Sequence, residues 1–289
     1  MAPPTRLARR GVKYRHAFHA GNFADVMKHV ALVAALLRLT EKDRALFILD
    51  THAGRGRYEI GGPGGESAQG IGRLAALPAA PSHPALARYL ELVRTLNPDG
   101  ELRTYPGSPL IEAALMRPGD RAAFCELQGA EADALRREFR ADARIGVHER
   151  DGFEALQALL PPREKRGLAL IDPPYEDADG DFMRVASALV DTASRWPQGV
   201  VMAWYPIKQG FVAARLHRRL VDAGVKQLLA AELCVHPDDS RAGLNGSGIV
   251  TVNPPWQFEQ DLREVLPQLH GKLAERGAGR TRVAVLAGD

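Results

Sequence analysis

The sequence predicts an α/β fold built on a mostly parallel, seven-stranded sheet, with an antiparallel strand at its C-terminal end and a small helical insertion. Three observations carry this reading. From Ala122 onward, short apolar runs alternate with longer segments of helical spacing, as parallel strands joined by crossover helices do. Several of those runs end in an acid or a glycine turn. Near the C-terminus, two apolar runs follow each other with only a polar loop between them, the pattern of antiparallel neighbours.

Taken in order, a loose basic tail reaches about Gly11. Asn22 then caps a helix running to about Thr40, in which Val26, Val30, Val33 and Leu37 recur at spacings of three and four. Residues 45–50 form a strand feeding the glycine turn Thr51-His52-Ala53-Gly54-Arg55-Gly56-Arg57-Tyr58. The glycine-rich stretch 61–72 and the Ala- and Pro-rich stretch 76–84 lead into a helix over 84–96. A small helical insertion therefore occupies about 59–102. Strands over 122–126, 145–150, 168–172 and 199–205 then alternate with helices over 129–140, 151–160, 181–196 and 211–223. Residues 227–235 and 248–252 close the sheet as an antiparallel pair around the loop 237–246, and no internal repeat is present. The expected organisation is a flexible extension over 1–13 and one domain over 14–289.

Composition excludes several classes. With 289 residues, 45% hydrophobic and 25% charged, the chain is neither disordered nor fibrous. Its 38 basic against 35 acidic residues give +3, too little for a protein that coats nucleic acid indiscriminately. Cys125 and Cys234 are too few for a disulfide scaffold and lack CxxC spacing, so both read as buried side chains in a reducing cytosol. The basic N-terminus lacks the apolar stretch of a signal peptide. The most apolar run, 29–39, is about half a membrane span and contains Arg38, so a cytoplasmic, membrane-free protein is expected.

The acids at strand ends carry the chemistry. Asp50, Glu126, Asp151 and Asp172 would face one crevice, because open α/β sheets bind ligands at the carboxyl ends of their strands. The turn after Asp50, with Gly54, lets backbone approach a nucleotide-like ligand, although glycine turns are also mere punctuation. Glu126 closes Phe124-Cys125-Glu126, where a carboxylate accepts both hydroxyls of a ribose or sits as a helix N-terminal acid. Asp151-Gly152 reads either as an acceptor for an amino group beside a glycine that admits a flat ring, or as an N-cap.

The sharpest motif is Asp172-Pro173-Pro174-Tyr175, after the apolar strand Leu168-Ala169-Leu170-Ile171. Its prolines cannot donate, so the carbonyls of Asp172 and Pro173 stay free to accept. Tyr175 offers a ring for stacking. Together they suit a planar base with an exocyclic amino group. Asn253-Pro254-Pro255-Trp256 offers similar chemistry, but too little chain follows it for a central motif. His16, His19, His29 and His52 lie early in the chain without an acid or cysteine at zinc spacing, so no metal site is expected. Lys28 is either solvated or part of a cofactor wall with Tyr14, Arg15 and His16. Ser108, in Tyr105-Pro106-Gly107-Ser108-Pro109, caps a helix or reaches a ligand, and periodicity favours the cap.

These motifs, together with Tyr14-Arg15-His16-Ala17-Phe18-His19-Ala20-Gly21-Asn22, resemble the RlmJ family of class I S-adenosylmethionine-dependent methyltransferases, which modify N6 of an adenine in large-subunit ribosomal RNA. The resemblance runs from about Tyr14 to the C-terminus. It implies a Rossmann-like class I methyltransferase fold, S-adenosylmethionine as cofactor, 23S ribosomal RNA as partner and no obligate protein partner. Position by position, it implies cofactor contacts from Lys28, His29, His52, Gly54, Ser108, Glu126, Asp151, Gly152 and Asp172. Glu126 would hold the ribose, and Asp151 with Gly152 the cofactor's adenine. Asp172 would be the catalytic carboxylate, assisted by Pro173 and Tyr175, while Tyr14, His16 and Tyr175 would meet the substrate.

A base reaching this pocket must leave its stack, which favours free RNA or an early assembly intermediate. The small net charge implies a limited basic face, with Arg15, Arg55, Arg57 and Arg241 as its expected members. The competing readings are a DNA adenine methyltransferase, a nicotinamide-dependent oxidoreductase, which leaves the Asp-Pro-Pro-Tyr loop without a task, and a non-catalytic RNA-binding assembly factor.

Overall fold

The computed structural model of the protein describes residues 19–61, 65–75, 82–208, 211–241, 243–275 and 277–288. The described chain starts with helix α1 (Phe23–Thr40), strand β1 (Phe47–Asp50) and the short strand β2 (Arg57–Glu59). A 3-10 turn (Glu66–Gln69) and helices α2 (Ile71–Ala75) and α3 (Pro84–Thr95) precede β3 (Thr104–Pro106) and α4 (Ser108–Leu115). The alternating part follows as β4 (Arg121–Glu126), α5 (Gly129–Phe139), β5 (Ile145–Glu149), α6 (Gly152–Leu159), β6 (Gly167–Ile171), α7 (Ala178–Arg195), β7 (Val200–Ile207) and α8 (Phe211–Asp222). The chain then runs through β8 (Leu228–Cys234), β9 (Gly246–Val252), α9 (Phe258–Leu273) and β10 (Arg280–Ala287).

The main sheet has the order β10-β8-β9-β7-β6-β1-β4-β5. Its pairs β4–β5, β1–β4, β1–β6 and β6–β7 are parallel, and β7–β9, β9–β8 and β8–β10 are antiparallel. This is the Rossmann-like arrangement of class I methyltransferases, and β8 and β9 form the antiparallel pair that the sequence pattern indicates, although β10 and not that pair closes the sheet. The sheet nevertheless holds eight strands rather than seven. The additional strand, β10, lies along the sheet edge; its burial alternates between exposed and half-buried over its first four residues and then loses the alternation in the apolar run from Val283.

Both faces of the sheet are covered, which is why its strands read as continuous apolar runs. Ile48, Phe124, Leu168, Leu170 and Met202 point into one core with α1, α3 and α9. Leu49, Cys125, Ala169, Ile171 and Ala203 point into the other with α6, α7 and α8. Helix α1 is buried around most of its circumference, because it packs against α3, α4, α9 and β9 at once. Asn22 caps it, accepting from the amides of Ala24 and Asp25, and this fixes where its first polar side chains emerge.

The strand order reverses at β1, whose neighbours β4 and β6 continue the chain to either side. Asp50 at the end of β1 and Asp172 just past β6 flank this switch point. The small β2–β3 sheet, absent from the sequence reading, ties the glycine turn to the Tyr105-Pro106 segment through Tyr58 opposite Tyr105.

Candidate active site

The polar centre of the crevice joins the first two turns of α1 to the loop after β6. Lys28 is only 8% exposed. Its Nζ donates to Asp172 Oδ2 at 2.6 Å and to Asp25 Oδ1 at 2.8 Å. Burial works against the ammonium, but the two carboxylates outweigh it and hold Lys28 well above the usual lysine range. Burial likewise opposes the Asp25 carboxylate, and Lys28 reverses the balance and lowers its pKa. Asp172 Oδ1 accepts no hydrogen bond from the described residues. Beside Lys28, His29 is hydrogen-bonded to the Tyr105 hydroxyl at 2.7 Å, and burial pushes it down to about 3, so it is neutral at physiological pH.

The glycine turn is held from below. Asp50 is fully buried, accepts from the Ser108 hydroxyl at 2.6 Å and from the His52 amide at 3.1 Å, and is pushed by burial up to about 7. Gly54 has φ +62°, and a Cβ there would stand 2.1 Å from the Tyr58 hydroxyl, so the turn closes only with glycine. Glu126 reaches across from β4. One of its oxygens accepts from the Gly54 amide at 2.9 Å and the other from the Gln128 amide at 2.7 Å, which leaves lone pairs on both.

Asp151 caps α6 and is also paired with Arg184 at 3.1 Å, so the N-cap reading of this residue holds. A Cβ on Gly152 would lie 2.0 Å from the Thr51 carbonyl oxygen. Close approach of α6 to β1 therefore requires this glycine, whatever ligand lies nearby.

Two cavities meet at Asp172, Pro173 and Pro174. One, of about 320 Å³, runs past His52, Glu126, Leu127, Asp151 and Phe153. The other, of about 280 Å³, runs from His29, Tyr58 and Gly107 past Lys28 to Tyr175, Trp204 and Lys208. An elongated ligand rich in donors fits the first, and a planar amine reaching the free oxygen of Asp172 fits the second.

The family described as "Ribosomal RNA large subunit methyltransferase D, RlmJ" matches residues 43–286. A protein of Escherichia coli (strain K12), Ribosomal RNA large subunit methyltransferase J, is 41% identical over 277 residues, spanning 94% of this chain and 98% of that protein. This chain belongs to the RlmJ family. The Haemophilus influenzae protein of the same name is also 41% identical, over 93% of this chain and 96% of its own length. A crystal structure of a Legionella pneumophila protein superposes on this RlmJ-family chain with a TM-score of 0.83. It is 32% identical and covers 93% of this chain and 98% of that one.

S-adenosylmethionine, the cofactor of such class I methyltransferases, suits the residues present. It carries ribose hydroxyls and an adenine amine as donors, and two cationic centres. The crevice offers these the carboxylates of Glu126, Asp151 and Asp172, of which Glu126 and Asp172 keep free lone pairs, and the exposed apolar surface of Leu127 beside Phe153. Among the described residues no group of three or more His, Cys, Asp or Glu side chains is arranged to hold a metal ion. No described helix is long and apolar enough to cross a membrane.

In this RlmJ-family crevice Lys28, His29, His52, Glu126, Asp151, Gly152, Asp172 and Pro173 are brought together, while Tyr14, Arg15 and His16 lie outside the described residues. Four expectations change. Ser108 does not cap its helix: Gly107 holds the cap position, and the Ser108 hydroxyl donates to Asp50. Of the two readings of Lys28, the solvated one falls, because the ammonium is buried and bound to two acids. Tyr175 lines the second cavity, but at 4% exposed and packed against Phe182 and Trp204 it shows little of its ring. Arg55 and Arg57 are committed to Glu131 and Glu138 of α5, so they offer no free basic face.

Asn253 lies at the wrong end of the sheet. β9 runs against β7 with Val252 opposite Val201, so Asn253 emerges beside the start of β7 and donates to Pro197 and Gly199 carbonyls. Residues missed from sequence are Asp25 and Trp204. The spacing Asp25-x-x-Lys28 at a helix start was the available signal for the first.

Proposed function

We propose that this RlmJ-family, S-adenosylmethionine-dependent ribosomal RNA methyltransferase transfers its methyl group to N6 of a specific adenine in 23S ribosomal RNA, acting on free RNA or an early assembly intermediate. The observation that carries the proposal is Asp172: Lys28 occupies one oxygen, and the other accepts nothing from the described residues where two cavities meet.

An exocyclic adenine amine is a weak nucleophile because its lone pair is delocalised into the ring. A hydrogen bond from N6–H to Asp172 Oδ1, with a second to the Pro173 carbonyl oxygen, draws the nitrogen toward the tetrahedral geometry of the transition state. Lys28 fixes the rotamer of Asp172 so that Oδ1 faces the amine, and Asp25 fixes Lys28. The proton released from N6 passes to Asp172 Oδ1 and from there to solvent. When bound, S-adenosylmethionine supplies an electrophilic methyl group. Glu126 would hold its ribose, and Leu127, Asp151, Gly152 and Phe153 would surround its adenine. Lys28, His29 and His52, beside the place where the two cavities meet, and Ser108 would be on the side of its methionine moiety. The buried, neutral His29 would serve there without adding positive charge.

The test is a competition for label. Purified protein and S-adenosylmethionine carrying a labelled methyl group are offered protein-free unmodified 23S ribosomal RNA, assembled large subunits and duplex DNA. Label in the free RNA is expected. Label confined to DNA or to finished subunits would overturn the substrate assignment.

A further inference from the structure

The loop between β8 and β9 has no task in the chemistry above, yet it stands at the mouth of the second cavity. The strand registers carry it to the carboxyl end of β7, since Gly246 opens β9 opposite Ile207 and Cys234 closes β8 opposite Gly246. Leu244 of this loop and Lys208, just past β7, both line the cavity.

Asn245 fastens the loop to the strand. Its amide donates to the Ile207 carbonyl oxygen at 2.8 Å, and its own carbonyl oxygen accepts from the amides of Val235 and His236 at 3.0 and 3.2 Å. Its side-chain Nδ2 donates to the carbonyl oxygens of Lys208, at 3.0 Å, and Ser240, at 3.1 Å. Two carbonyls bound to one nitrogen lie side by side, so this staple sets Lys208 next to Ser240 and to Arg241, which follows it. Asn245 is 1% exposed, and its Oδ1 is buried without a partner among the described residues. An orphaned acceptor costs stability, and a plain connection between two strands would do without it.

Lys208 and Arg241 are the cations that the staple brings together. Both are exposed, and neither side chain has a hydrogen bond or ion pair with a described residue. Arg241 thus differs from Arg55 and Arg57, which α5 holds. Of the loop's two acids, Asp238 is drawn to Arg280 at 3.4 Å, so Asp239 alone opposes the two cations. A base that enters the cavity leaves the phosphates of its own strand at the mouth, where cations without acidic partners are suited to meet them.

We infer that Lys208 and Arg241 form a phosphate clamp for the RNA strand that carries the target adenine, and that Asn245 is the positioning residue that holds both cations at the cavity mouth. The inference rests on the proposed methylation of a base in RNA. Phosphate contacts carry no sequence information, so the clamp sets affinity and register while Asp172 and Pro173 select the base.

The test is the salt dependence of binding to a labelled RNA fragment that contains the methylated adenine. Each phosphate contact to a single strand contributes about 0.7 to the slope of log Kd against log salt. The double variant Lys208→Gln, Arg241→Gln should therefore lower that slope by about 1.4 and weaken binding about 10-fold or more at low salt, with unchanged Tm and unchanged affinity for S-adenosylmethionine. Lys208→Arg with Arg241→Lys, which keeps both charges, should keep the slope. So should Lys226→Gln, an exposed lysine at the far end of the sheet, where Leu228 and Val201 both lie opposite Val252. Asn245→Ala retains both cations and should still move the slope toward that of the double variant, a change that lost stability alone would not give.

A double variant with the wild-type slope overturns the clamp. So does a Lys226 variant that lowers the slope as much as the double variant, and a wild-type slope in Asn245→Ala overturns the positioning role. If Asn245→Ala fails to fold, the double variant decides, since its two side chains are exposed and unpaired among the described residues. Wild-type protein that labels no RNA would sink the substrate reading itself, a result distinct from labelled RNA with an unaltered slope.

Discussion

Replacing Asp172 by asparagine changes one atom and inverts the polarity of the site. Lys28 Nζ lies 2.6 Å from Asp172 Oδ2 and demands an acceptor, so the asparagine turns its amide oxygen toward Lys28. Its NH2 then occupies the place of Oδ1 and faces the substrate amine donor to donor. The proton acceptor is lost, and with it the hydrogen bond that prepares the nitrogen. General-base contributions of this kind amount to about 10²- to 10⁴-fold, or ~3–5 kcal/mol of barrier.

The fold should survive, because Lys28 keeps Asp25 at 2.8 Å and no unpaired charge is left buried. Weakening one charged hydrogen bond costs at most ~3 kcal/mol, read as a Tm lower by several degrees. The assay is single-turnover transfer of labelled methyl to 23S ribosomal RNA, with cofactor affinity by calorimetry and Tm measured alongside. A kcat within about 3-fold of wild type, at unchanged cofactor affinity, would refute the reasoning.

Other substitutions probe the cofactor side and the core beneath it. Glu126→Ala removes the carboxylate and strands the amides of Gly54 and Gln128, so the Kd for S-adenosylmethionine should rise about 10-fold or more by calorimetry, with a lower Tm. Gly152→Ala forces a Cβ to 2.0 Å from the Thr51 carbonyl oxygen, so denaturant melts should show a loss of ~1–3 kcal/mol or more. Asp50 tests pH linkage. Burial raises its pKa from 3.8 to about 7, so the folded protein keeps a proton that the unfolded chain has already lost, and stability falls as pH rises through that window. The gap corresponds to ~4 kcal/mol. Wild type should lose up to that much more than Asp50→Asn between pH 4 and pH 7, and parallel stability curves would contradict it.

Much of the crevice was legible because it is written in short-range signals. An apolar run ending in Asp172-Pro173-Pro174 announces a central strand and its carboxyl-end acid, and Asn22 followed by apolar residues at helical spacing announces α1. Long-range pairing is another matter. Lys28 and Asp172 are 144 positions apart, and only packing of α1 against the sheet brings a buried lysine to that acid. Arg55 and Arg57 looked like RNA contacts because their partners, Glu131 and Glu138, sit on a helix whose face toward the glycine turn is fixed by tertiary structure.

Ser108 misled for a local reason. Its backbone neighbour Gly107 takes the extended cap conformation, which frees the hydroxyl for Asp50. Helix α9 went unread because it contains Pro267 and starts after Gln257 at φ +64° with no side-chain cap. β10 was missed although 283–287 is a continuous apolar run: arginines at 280 and 282 open the strand, and it lies at the sheet edge with none of its residues fully buried.

The central claim is that the acceptor beside Lys28 selects an exocyclic amine. Its most direct test is the identity of the methylated nucleoside after complete digestion of 23S ribosomal RNA treated with the purified protein. The account predicts N6-methyladenosine from a single site, at up to one methyl group per RNA. A ribose-methylated or carbon-methylated nucleoside carrying the label would contradict it, since neither atom has an amine proton for Asp172 to accept.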